Sequence, residues 1–72
     1  MATTMFFDKT LQDKGSPSEK IDLEFGRSSF YDGESLMYFV IDGKTVIVDE
    51  KTGREIYERM QELAGYLGYD RP

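Results

Sequence analysis

Leu36-Met37-Tyr38-Phe39-Val40-Ile41-Asp42-Gly43-Lys44-Thr45-Val46-Ile47-Val48-Asp49 is the stretch whose reading decides the fold. Two runs rich in β-branched and aromatic residues flank Asp42-Gly43. A two-residue type I′ turn needs positive φ at both central positions, which Asp and Gly tolerate, so residues 35–49 read as a β-hairpin. The turn sets the register: Ile41 faces Lys44, Phe39 faces Val46, and Met37 faces Val48. One face of the ribbon then carries Met37, Phe39, Ile41, Val46 and Val48, joined by the aliphatic stem of Lys44. The other carries Leu36, Tyr38, Val40, Thr45, Ile47 and Asp49. The first is the more uniformly apolar and is assigned to the core.

Upstream, Ile21-Asp22-Leu23-Glu24-Phe25 alternates strictly between apolar and acidic, the period of a half-buried strand over 21–26 that Gly26 ends or bulges. Asp32-Gly33 marks a turn in the link to the hairpin, just after the aromatic pair Phe30-Tyr31. Thr3-Thr4-Met5-Phe6-Phe7 is β-branched and aromatic and reads as an edge strand over 3–7. The polar run 8–20, with Gly15-Ser16-Pro17-Ser18 at its middle, reads as a flexible loop.

Downstream, Ile56, Met60, Leu63, Ala64 and Leu67 recur at the spacing of one face of a helix, predicted over 51–67. Asp49 and Thr52 compete as N-cap. Thr52 with Glu55 has the T-x-x-E pattern of a capping box and is preferred. Gly68 suits the residue after the helix, and 69–72 reads as a loose tail. The fold expected is one small α+β domain: an antiparallel sheet of three to four strands in β-β-β-α order, with the N-terminal segment as the additional edge strand, packed on one C-terminal amphipathic helix.

At 72 residues the chain holds a single domain with a small core. It has no Cys and no His, so disulfides, thiolate metal sites and the commonest general base are excluded. A chain this short usually gains stability from a staple or from a second copy, and here the second copy is what remains. The N-terminus shows no basic region followed by an apolar run, and the longest apolar stretch, Leu36 to Ile41, is too short to cross a bilayer. A cytoplasmic, soluble protein is the expectation.

The net charge of −5 lies wholly in residues 21–50. There Asp22, Glu24, Asp32, Glu34, Asp42, Asp49 and Glu50 face only Arg27 and Lys44, whereas 1–20 and 51–72 each balance to zero. No basic stripe is available to release counterions from a nucleic acid, so direct nucleic-acid binding is not expected. Acidic residues of this kind ordinarily serve solubility. The sharper alternative is a negative patch of Asp22, Glu24, Asp32, Glu34 and Asp42 aimed at a basic partner. The Asp32-Gly33-Glu34 segment lacks the periodic ligands of a calcium loop, and no phosphate-binding glycine loop is present. No catalytic residues, metal, cofactor or small-molecule substrate are expected.

One helix can cover one face of the sheet. Leu36, Tyr38, Val40 and Ile47 would then project from the other as roughly 300–400 Å² of apolar surface. Either the N-terminal segments fold over that face or a partner does. With Phe30 and Tyr31 as aromatic anchors beside it, the expected role is a non-enzymatic protein–protein interaction or regulatory accessory domain. It would act by surface contact as a homodimer, with the four-residue patch as interface. The alternative is an acidic stoichiometric inhibitor, a nucleic-acid mimic of the phage or bacterial accessory type, occupying a basic groove on another protein.

Overall fold

The computed structural model describes residues 3–71. Four antiparallel strands, β1 (Thr4–Gln12), β2 (Lys20–Arg27), β3 (Met37–Ile41) and β4 (Lys44–Val48), form one open sheet in sequential order, followed by the helix α1 (Glu50–Leu67). The α+β architecture is the one expected. The turn is of the expected kind, with Asp42 and Gly43 at φ of 51° and 84°. The β3–β4 register pairs Ile41 with Lys44, Phe39 with Val46 and Met37 with Val48.

The N-terminal strand is longer than its sequence suggests. Asp8 to Gln12, read as the start of a flexible loop, continue β1, pairing from Asp8–Glu24 to Gln12–Lys20. The polar composition misleads because one face of this edge strand is solvated, while Phe7 and Leu11 alternate onto the other. The connection shrinks to residues 13–19, where Asp13 Oδ1 accepts the N–H groups of Gly15 (2.8 Å) and Ser16 (3.2 Å). Asp13 N–H in turn donates to the Glu19 carbonyl at 3.0 Å.

The β1–β2 register slips between Met5 and Phe7, a bulge at Phe6. Gly26 lies opposite Met5 at that bulge, and a Cβ there would sit 2.1 Å from the Thr4 carbonyl oxygen. Only glycine lets the two backbones approach so closely.

Phe7, Phe25 and Phe39 form an aromatic row on one face of the sheet. Phe7 and Phe25 stack at 5.0 Å, and Phe25 and Phe39 are tilted by 59° at 5.8 Å. At the end of this face α1 approaches the sheet through Gly53, where a Cβ would lie 3.2 Å from Met37 Sδ. The helix is therefore on the expected side.

Its start is one residue after β4, capped by Asp49, whose Oδ1 accepts Thr52 N–H at 2.9 Å. Asp49 displaces the predicted Thr52 because β4 ends at Val48 and Gly53 N–H already bonds the Asp49 carbonyl at 2.8 Å. The end is a Schellman motif: Tyr69 N–H reaches the Ala64 carbonyl at 2.9 Å, with Gly68 at φ 78°. Pro72 of the predicted tail lies outside the described residues.

The core is small. Leu36 and Tyr38 are the buried apolar side chains, and no residue of α1 is buried. The chain extends over 40 × 28 × 19 Å with a radius of gyration of 14.2 Å. A compact domain of this length has about 11 Å.

Candidate interaction surfaces

Two of the four side chains expected to project are buried. Leu36 is 8% and Tyr38 6% exposed. The expectation that these two project as part of a four-residue apolar patch is corrected: Leu36 lines the cleft beside the first turns of α1 with Phe25, Met37 and Gly53, and Tyr38 lies beside the start of the β2–β3 link. Ser28 N–H donates to the Leu36 carbonyl at 3.0 Å, tying the two ends of that link together. Ser28, Ser29 and Phe30 then line one shallow hollow with Tyr38, Val40 and Ile47. Of the predicted interface, Val40 is half-buried, whereas Ile47, Phe30 and Tyr31 are exposed, so the six do not form one apolar surface.

Burying a tyrosine requires a partner for its hydroxyl, and Tyr38 donates to the Glu24 carboxylate. This hydrogen bond first, then burial and the negative charges of Glu24 and Asp8, pushes the Tyr38 phenol up to about 12. The register explains the meeting. Gly26 lies opposite Tyr38 and Glu24 opposite Val40, so Tyr38 and Glu24 are diagonal neighbours on one face.

The five acidic residues singled out by sequence are divided. Asp22 and Glu24 share a sheet face, and Asp42 N–H donates to the Asp22 carbonyl at 2.9 Å. Asp22 also accepts the Thr10 hydroxyl at 2.7 Å. Asp32 sits in the exposed link. Glu34 is drawn to the base of the helix, where its Oε1 accepts Glu50 N–H at 3.1 Å. Sequence reading missed two partners: Asp8, paired with Glu24 across β1–β2, and Glu34 as a distant helix cap. Neither is signalled locally, because both depend on how separate segments are brought together.

The surface left over lies instead on α1. Met60, Leu63 and Leu67 are 60%, 50% and 49% exposed, and Tyr57, on the same side of the helix, is exposed as well. Amphipathic helices normally bury such a stripe. Between the first turns of α1 and the bulged end of β1–β2 lies a cleft of about 610 Å³. Phe6, Phe25, Leu36, Met37 and Tyr57 supply apolar walls, and Arg27 and the Glu50–Arg54 ion pair (2.8 Å) add charge to the lining.

Among the described residues no group of three or more Asp or Glu side chains is placed to hold a metal ion. No described helix is long and apolar enough to cross a membrane. Comparison with protein-family models, curated proteins and solved structures finds no match to this chain.

Proposed function

We propose that this protein is a non-enzymatic interaction domain, regulatory or accessory in role, that acts by surface contact as a homodimer. The observation that carries the reading is an 18-residue amphipathic helix with no buried residue. In water such a helix is marginal on its own, and its stability ordinarily comes from packing its apolar side. The contact surface moves accordingly, from the Tyr38 face to the stripe of α1 and the open aromatic face beside it.

Light scattering or sedimentation equilibrium over a range of concentrations tests this. The dimer has twice the 8.3 kDa mass of the chain. A mass that stays at one chain across the range sinks the homodimer.

A second reading, the acidic inhibitor, draws support from Asp8 and Glu24. Two carboxylates directly opposite one another cost stability in a sheet, and a basic partner would relieve that cost. Binding of that kind weakens steeply as salt is raised, whereas an apolar dimer is little affected.

A further inference from the structure

The geometry points to a specific partner for the bare side of α1: we infer that two copies of the chain pair through α1 in an antiparallel, two-fold arrangement. This deepens the homodimer reading and rests on it.

The spacing of the stripe says what kind of surface covers it. Ile56, half-buried in the single chain, and the exposed Met60, Leu63 and Leu67 are separated by four, three and four residues, the alternation of a helix-to-helix seam. A two-fold axis between Gln61 and Glu62 sets Ile56 against Leu67 of the second copy and Met60 against Leu63 of the second copy. All four layers are then apolar, and each layer joins one residue to another, as an isologous contact requires.

The flanks agree with the same register. On one side Tyr57 lies over Ala64 of the second copy, a large side chain over a small one. On the other Arg59 lies over Tyr66 of the second copy, a cation against an aromatic ring. Tyr66 is 88% exposed in the single chain. No like charges are brought face to face. The same register carries Tyr69 of the second copy, 77% exposed in the single chain, to the level of Arg54 at the aromatic cleft.

The open shape of the chain leaves surface to spare for an interface. The chain presents 6183 Å² of accessible surface for a mass of 8.3 kDa. A compact monomer of that mass presents about 4600 Å². The surplus of about 1600 Å² is twice the ~800 Å² that one partner contributes to a standard interface.

The test uses the full chain. In Leu63→Glu the solution mass falls twofold to that of one chain, while Glu58→Lys, on the outer side of the helix, keeps the native mass. Because Leu63→Glu alters the helix itself, a second measurement is made on an otherwise native chain: Lys51→Cys, the only cysteine present, carries a nitroxide label. At 1.5 Å rise per residue the antiparallel pair places the two labels about 30–35 Å apart. A distance below about 20 Å, or a dimer that survives Leu63→Glu, overturns the helix pairing and leaves the homodimer standing. A native chain that is monomeric throughout overturns both.

Discussion

Glu34 and Glu50 clasp the base of the helix from both sides. The Glu34 carboxylate accepts Glu50 N–H at 3.1 Å, and the Glu50 carboxylate accepts Ser35 N–H at 3.1 Å. An open helix N-terminus leaves several N–H groups without intrahelical partners. Here Asp49 supplies one acceptor from the adjoining residue, and Glu34 supplies another from sixteen residues before Glu50. The clasp is what sets the direction of α1, since the rest of the helix has little to lean on. Glu34→Ala is expected to cost about 1 kcal/mol, the usual loss on removing a cap. The loss should appear first as faster hydrogen exchange at the amides of Glu50–Gly53, ahead of those in β3 and β4. Equal acceleration throughout the chain would contradict it.

Acid should release the same clasp. The Asp49 carboxyl is held below its ordinary range by hydrogen bonds from Thr52. The Glu50 carboxyl is lowered by the Ser35 N–H and next by Arg54. Groups whose folded pKa is depressed add stability above their unfolded pKa of about 4, and that contribution is lost as pH falls through the folded value. Helical circular dichroism should therefore decline below about pH 4, with a shallower decline in Asp49→Asn. A pH profile identical in the variant and the native chain would separate the cap from acid stability.

At the alkaline end the sign reverses. Tyr38 has its phenol raised to about 12, so the folded state holds that proton more tightly than the unfolded chain. Its contribution is complete below the ordinary tyrosine pKa of about 10 and disappears as pH rises towards 12. Phenolate absorbance should show a step from Tyr38 towards pH 12, together with unfolding. In Tyr38→Phe that step should vanish, and the thermal midpoint should be lower at neutral pH because Glu24 loses its donor.

Two glycines give opposite outcomes. Gly26→Ala forces a methyl group to within 2.1 Å of the Thr4 carbonyl oxygen, so β1 must shift at a cost of about 3 kcal/mol. Gly65→Ala meets nothing within 4 Å and sits inside the helix, so it should stabilise by about 0.8–1 kcal/mol. Urea denaturation of both variants measures the contrast. The comparison also separates close backbone approach from ordinary glycine flexibility.

The parts of this fold that are legible in the sequence are those whose geometry is local. Asp42-Gly43 determines both φ values of its turn, and the turn determines the pairing of Phe39 with Val46. The stripe from Ile56 to Leu67 is similarly written within one element. What cannot be read locally is the register between elements joined by long links. The β2–β3 offset makes Glu24 a diagonal neighbour of Tyr38, the bulge at Phe6 brings β1 against Gly26, and no short motif announces either. Hydrophobic count alone favoured burying the Phe39 face and baring the Tyr38 face. Tyr38 is nonetheless buried, because its hydroxyl finds a carboxylate partner in Glu24, while α1 stays on the Phe39 side. The polarity of Asp8–Gln12 likewise concealed an edge strand, since such a strand needs apolar side chains on one side only.

The sheet order carries a kinetic consequence. Each strand pairs with its neighbour in the chain, so closing the sheet never requires distant segments to meet before nearer ones have done so. Folding is expected to spread outward from the β3–β4 turn, with β1 joining last because its bulge must seat against Gly26. Loss of order should run the opposite way, peeling from β1 while the central hairpin stays zipped.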